Sequence, residues 1–315
     1  MRGLLGRLGL ALLSCALTLG VVEGVLRLGP AWTRATTRDA RSGFNPYRPD
    51  GRFGFVLNPG VRTRHVDRDF SVTIAVNALG LRGPDRAVSK SPGTTRILLL
   101  GDSFAFGWGV EQEDTFGARL ERQLARGGPV EVWSAAVPGW TTDQQYLYLR
   151  ARGLALEPDL VLLAVGENDL AELAFNRLTL DEGRLPVRVE SLFRMIDATG
   201  RMRYLGRGRA ALPRAAWPGE TWLQDHSRLY HWLRFRVAKA SAGLAVWRAR
   251  PPAPAWLLSD PTRPVARLSP DELQRALATS AEFRLRYHLF LVDAMEREAR
   301  ARGVPLRTLL VAHSG

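Results

Sequence analysis

Two short stretches of this chain contain nothing but aliphatic residues: 97–100 (ILLL) and 160–165 (LVLLAV). A strand with one solvated face alternates apolar and polar residues. A strand that is apolar at every position must be covered on both faces. Between and around these runs the spacing changes to that of helices. Residues 114–126 place Phe116, Leu120 and Leu124 on one face, and 142–152 reads as a second helix. Residues 130–134 and 304–311 read as further strands. Residues 271–302 read as one long helix, with Ser269 as N-cap, Glu272 three residues on, and Gly303 as the stop. Strands alternating with helices predict an α/β fold around a parallel sheet.

Composition supports a packed domain. Of the 315 residues, 46% are hydrophobic and nine are Trp, which excludes disorder. The formal net charge is +13, but it is unevenly placed. Residues 96–176 carry 6 basic and 12 acidic side chains, and 177–250 carry 15 basic and 6 acidic. The core is therefore acidic, and the positive field belongs to the segment after it. That segment could face anionic lipid headgroups or an acidic polysaccharide, or be a solvated arginine-rich face. No zinc-finger, bZIP or RNA-recognition signature accompanies it, so no nucleic acid partner is expected. The single cysteine, Cys15, excludes an intrachain disulfide and a thiolate metal cluster.

The amino terminus is apolar. Arg2 and Arg7 precede an uncharged run over 8–22, and Glu23 and Arg27 follow it. No small-x-small cleavage site follows, so residues 1–29 are expected to be an uncleaved signal anchor, a transmembrane helix. The globular part is then expected on the far side of an inner membrane, periplasmic or extracytoplasmic. Leu12-Leu13-Ser14-Cys15 has the outline of a lipobox, but the apolar run continues past it to Val22.

Residues 30–92 have a turn-rich texture. Within them, 53–60 (FGFVLNPG) and 70–77 (FSVTIAVN) alternate like short strands, and 77–83 (NALGLRG) reads as a turn into the core. This is expected to be a small β-rich lead-in packed on a main domain over 93–315. Residues 177–268, rich in Pro, Arg and Trp, interrupt the strand–helix rhythm as an insertion, with an amphipathic helix expected over 227–245.

The chemistry lies at the strand ends. Gly101-Asp102-Ser103-Phe104 puts a serine hydroxyl at the carboxyl end of the first buried strand, where open α/β sheets place their ligands. Gly139 follows the second strand; a backbone amide there can donate to a developing oxyanion, and the missing Cβ admits substrate. Gly166-Glu167-Asn168-Asp169 follows the third strand, and Asn168 offers a neutral amide donor. The three together read as an acyl-transfer site: Ser103 as nucleophile, Gly139 and Asn168 as oxyanion donors. Taken alone, Ser103 and Asn168 could each cap a helix, Gly139 could be an ordinary turn, and Asp102 and Asp169 read as structural. Trp108, Trp133 and Trp140 near the strand ends could line a pocket, although core packing accounts for them as well.

These blocks resemble the first three of the GDSL/SGNH hydrolases. FGFVLNPG, VNALGLRG and RILLLGDSFAFGWGV are similar to the corresponding stretches of membrane-anchored bacterial members. The resemblance implies a three-layer α/β/α sandwich with a flavodoxin-like parallel sheet. It also implies a serine-dependent ester hydrolase working through an acyl-Ser103 intermediate, with no metal or other cofactor. The oxyanion hole would comprise the amides of Ser103 and Gly139 and the side chain of Asn168. Small-molecule or glycan acyl esters are the implied substrates, O-acyl groups of a cell-envelope glycan among them. A carbohydrate O-acyltransferase with the same site is the alternative. Ser134 stands where the family usually has asparagine. The family's last block, Asp-x-x-His, occurs nowhere in the chain. The histidines are His65, His226, His231, His288 and His313, and only His313 follows a core strand. The base and its orienting carboxylate are therefore expected beyond Gly315, in a chain cut short. As it stands the chain would also suit a non-catalytic glycan-binding module.

Overall fold

The computed structural model describes residues 2–28, 46–66, 70–191, 194–196, 202–204, 227, 229–230 and 253–311. At its centre is a four-stranded parallel sheet built from β5 (Thr95–Leu100), β6 (Val130–Ser134), β7 (Leu160–Gly166) and β12 (Leu306–Val311), in the spatial order β12-β7-β5-β6. The two all-aliphatic runs occupy the two inner positions, as burial on both faces requires. Leu98, Leu99 and Leu100 are all fully buried.

Helices cover both faces. A Cβ on Gly117 would lie 3.3 Å from Val132 Cγ1 and 3.5 Å from Leu99 Cδ2, so the helix Phe116–Leu124 packs on the Leu99 side. A Cβ on Gly153 would lie 2.7 Å from Leu98 Cδ2, so the turn after the helix Thr142–Ala151 packs on the Leu98 side. Successive strand residues point to opposite faces, so these contacts place the two helices in different layers.

The expected long helix over 271–302 is two helices, Pro270–Thr279 and Ala281–Arg300. Ser269 and Glu272 form the expected capping box. The break comes at Ser280, which leaves the helical conformation (φ −122°, ψ 121°) and accepts a hydrogen bond from the Phe283 N–H at 3.0 Å on its side-chain oxygen. A serine oxygen can take over a backbone N–H in this way, while the apolar spacing continues through the break.

Each strand pattern of the lead-in is one half of an antiparallel hairpin: β1 (Tyr47–Asp50) with β2 (Gly54–Leu57), and β3 (Arg62–Val66) with β4 (Ser71–Ala75). The first hairpin is fastened to the helix Thr142–Ala151 and the turn before it. Trp140 Nε1 donates to the Phe55 carbonyl at 2.9 Å, and Gln144 Nε2 donates to the Phe53 carbonyl at 2.7 Å. The Phe53 ring lies 5.8 Å from Trp140 and 5.9 Å from Tyr148. After β7 the chain forms further hairpins, β8 (Asn176–Leu180) with β9 (Pro186–Ser191), and β10 (Arg194–Ile196) with β11 (Met202–Tyr204). Most of the expected helix over 227–245 lies outside the described residues.

The transmembrane expectation for residues 1–29 is corrected. Residues Arg2–Leu28 do form one helix. Among the described residues, however, no helix is long and apolar enough to cross a membrane. The uncharged run over 8–22 falls short of the roughly 20 residues that a span needs. Glu23 is also held by protein donors, the Ser227 hydroxyl at 3.0 Å and the Leu229 N–H at 2.8 Å.

Candidate active site

Ser103 opens a single helical turn, Ser103–Phe106, at the carboxyl end of β5. Asp102 caps that turn, its Oδ1 accepting from the Phe104 N–H at 2.9 Å. Gly107 closes it in the left-handed region (φ 83°), and its N–H donates to the carbonyls of Ser103 and Phe104, each at 3.1 Å. A Cβ on Gly101 would lie 2.6 Å from the Ala105 Cβ. Only glycine lets the chain reverse this tightly from strand to helix.

Gly139 lies beyond the end of β6, the strand beside β5. Val137, Pro138, Gly139 and Trp140 form a reverse turn closed by the Trp140 N–H on the Val137 carbonyl at 3.0 Å. Proline second and a glycine with φ 82° third suit a type II turn. The Val137 N–H donates to the Gly101 carbonyl at 3.1 Å, which ties this loop to the residues just before Ser103. Among the described residues neither the Ser103 nor the Gly139 backbone N–H has a hydrogen-bond partner.

Asn168 lies in the helix Glu167–Glu172 that follows β7. Its Nδ2 donates to Asp102 Oδ2 at 2.6 Å, so one of its two N–H groups is engaged by the residue before the nucleophile. Its Oδ1 is buried without a partner. A Cβ on Gly166 would stand 2.6 Å from that Oδ1, which explains the glycine of the Gly-Glu-Asn-Asp block. Asp169 is fully buried and accepts from the Gly166 N–H at 2.8 Å and from Gln145 Nε2 at 3.1 Å.

Asp102, Asp169 and Glu172 thus gather around Asn168, and none has a salt bridge among the described residues. Burial, and after it the Asp102 charge, push the Asp169 carboxyl up to about 8. The same two causes push Glu172 up to about 7. Glu172 Oε2 is buried and unpartnered, as suits a carboxyl that keeps its proton near neutral pH.

The histidines divide. His288 is buried in the helix Ala281–Arg300, with Nδ1 2.7 Å from Thr142 Oγ1, and burial lowers its pKa. His65 is buried, with its ring centroid 4.8 Å from Phe70 and 4.4 Å from Trp108. His226, His231 and His313 lie outside the described residues. Among the described residues Ser103 Oγ has no hydrogen-bond partner. Of the tryptophans, Trp133 and Trp140 are buried in the core, while Trp108 is 39% exposed. No group of three or more His, Cys, Asp or Glu suited to a metal occurs among the described residues.

Sequence reasoning passed over Asp102 as the partner of Asn168, over Glu172, and over Arg82 of the lead-in. Arg82 donates to carbonyls just after Ser103. A basic residue in a motif that fitted no part of an acyl-transfer site was the available signal.

A family model described as GDSL-like lipase/acylhydrolase matches residues 99–310. Among solved structures, the chain is similar to TesA (28% identity, TM-score 0.23) over 24% of this chain and 43% of that one. It is similar to AlinE4, an SGNH-hydrolase family esterase (27% identity, TM-score 0.23), over 26% of this chain and 45% of that one. A lipase/acylhydrolase from Enterococcus faecalis (29% identity, TM-score 0.21) matches over 25% of this chain and 47% of that one. The chain thus spans less than half the length of these solved relatives. No curated protein matches. Three chemical blocks stand at three strand ends of a parallel sheet, and the family model runs through all of them: the chain belongs to the GDSL-like lipase/acylhydrolase family.

Proposed function

We propose that the protein is a serine-dependent ester hydrolase. The observation that carries this reading is that, among the described residues, the backbone N–H groups of Ser103 and Gly139 are unengaged and follow the carboxyl ends of the adjacent strands β5 and β6, with the serine hydroxyl on the first of them. Ser103 Oγ attacks the acyl carbonyl carbon and gives its proton to a base. The carbonyl oxygen becomes an oxyanion held by the two amides, with the side-chain amide of Asn168 as a third donor. Each such donor is worth about 3 kcal/mol of barrier. The C–O bond to the leaving alcohol then breaks, and the alkoxide takes up the proton from the base. Water, losing a proton to the same base, attacks the acyl carbon of acyl-Ser103, and the Ser103–acyl bond breaks to release the carboxylic acid as Ser103 Oγ regains a proton. Transfer to a sugar hydroxyl instead of water would make the protein an O-acyltransferase. An O-acyl group of a cell-envelope glycan is the substrate class we propose.

The base is the part that the described residues do not supply. β12 runs parallel to β7 with Val311 opposite Gly166, and His313 comes two residues later in the sequence. Labelling of the full-length protein with a fluorophosphonate tests the whole reading. Labelling that disappears in Ser103→Ala supports it, and the same loss in His313→Ala assigns the base. A folded wild-type protein that is not labelled and binds glycan without cleaving it would instead be a binding module.

We also propose that the helix Arg2–Leu28 holds the protein at a membrane, with the catalytic domain extracytoplasmic. The support is its uncovered apolar surface: Leu17 is 62% exposed and Val21 65%. Cell fractionation of the full chain, beside a form lacking residues 1–29, tests this.

A further inference from the structure

The VNALGLRG stretch of the lead-in has no place in an acyl-transfer site, yet its geometry leads to one. Asn77 shapes the loop. Its Oδ1 accepts from the N–H groups of Leu79 at 3.0 Å and Leu81 at 2.9 Å, and its Nδ2 donates to the Pro84 carbonyl at 3.1 Å. Gly80 turns the chain with φ 78°. The loop presents Arg82, which is buried at 3% exposure. Arg82 Nη1 donates to the carbonyls of Phe106 at 2.8 Å and Gly107 at 2.6 Å, and Nη2 donates to the Val110 carbonyl at 2.6 Å. Its guanidinium carbon stands 4.6 Å from the centre of the Phe106 ring. Its backbone bridges Val76 on one side and Ser134, the last residue of β6, on the other.

A one-turn helix leaves its last carbonyls without intrahelical partners. Here a guanidinium fork from a different part of the chain takes them. The same residue is paired through its backbone to the strand that leads to Gly139. Arg82 therefore joins the segment that carries the nucleophile to the segment that carries the second oxyanion donor.

Among the described residues, the other deeply buried arginine makes a useful contrast. Arg96, at the opposite end of β5, is ion-paired to Glu131 at 3.0 Å. Arg82 has no salt bridge among the described residues. A buried guanidinium held mainly by carbonyl dipoles, with the Glu111 charge acting on it but no ion pair formed, is a costly way to stabilise a fold. It is an effective way to set the position of three carbonyls at once, because its donors lie in a rigid plane.

We propose that Arg82 is a positioning residue for Ser103: it holds the Ser103–Phe106 turn against the β6 end and so aligns the hydroxyl with the oxyanion donors. The lead-in is then part of the active site. This rests on the hydrolase reading above, and the test separates the two. In the full-length protein, Arg82→Lys and Arg82→Ala are compared with wild type for the rate of Ser103 labelling by a fluorophosphonate, for hydrogen exchange of the 103–110 amides, and for thermal midpoint. A misplaced nucleophile slows labelling about 10- to 100-fold. The alanine variant is expected in that range, with faster exchange confined to residues 103–110 and labelling restored by added guanidinium ion. Lysine, which reaches fewer carbonyls, is expected in between. Labelling of Arg82→Ala at the wild-type rate overturns the proposal. So does a loss that guanidinium does not restore and that comes with faster exchange throughout the sheet, since this would mark a role in folding alone. If wild type shows no Ser103-dependent labelling, the hydrolase reading fails, and the exchange at 103–110 still decides whether Arg82 holds the turn.

Discussion

Asp102 uses both oxygens of one buried carboxylate, one on the Phe104 N–H and one on Asn168 Nδ2. It therefore connects the nucleophile's turn to the side chain offered as an oxyanion donor, across the gap between β5 and β7. Asp102→Asn leaves one of those donors facing an amide N–H instead of an oxygen. The expected cost is about 1–3 kcal/mol, read as a lower urea midpoint, because a buried donor without an acceptor bears its full desolvation penalty. Labelling at Ser103 should also slow. An unchanged midpoint would mean that the two bonds contribute nothing. The residue types Ser103, Gly139 and Asn168 were legible because each is the type its chemistry demands. Asp102 and Arg82 were not, because their partners are 66 and 24–28 residues away in the sequence and become neighbours only in the fold.

At the level of elements, apolar runs marked the strands well and apolar spacing marked the last helices incompletely. Leu273 and Leu277 before the break, and Phe283, Tyr287 and Leu291 after it, all face the core. The spacing therefore gives no sign that the helix stops. The stop is a local competition at Ser280, where the side chain takes the Phe283 N–H. Removing that oxygen in Ser280→Ala should cost about 1 kcal/mol, the usual value of an N-cap, measured by chemical denaturation. A gain in stability would mean that the two helices prefer to fuse. The lead-in hairpins show the same division. Their alternating halves, β2 and β4, were visible, while β1 and β3 have little pattern of their own and form by pairing.

Asp102, Asp169 and Glu172 form an acidic cluster among the described residues, and the stability of the whole molecule should depend on pH accordingly. Asp169 and Glu172, pushed up to about 8 and about 7, keep protons in the folded state that the unfolded chain releases near pH 4. Their stabilisation is complete below the unfolded values and is lost as pH rises through the folded ones. His288, lowered by burial, has the opposite sign: its contribution is present above its unfolded value near 6.5 and is lost on acidification. Between about pH 6.5 and 8 the contribution of His288 is constant and that of the carboxyls still changes, so urea midpoints should fall across that window and level off above it. Asp169→Asn should flatten the fall. A midpoint that stays level across the window would show that the two acids are already ionised in the folded protein.

What the sequence determined by itself is the sheet and the residue types that stand at its ends. A strand buried on both faces has to be aliphatic, and an acyl-transfer site needs a hydroxyl and donors at strand termini; both are local properties of residue type. What only the tertiary structure decided is how those residues are held: Arg82 on the turn after Ser103, Asp102 against Asn168, and three acids gathered with no ion pair among the described residues. These are contacts between distant segments, and they depend on which strands lie side by side. The tertiary structure also assigned Glu23 to donors at Ser227 and Leu229, within the basic segment over 177–250, in a helix that the sequence suggested was a membrane anchor.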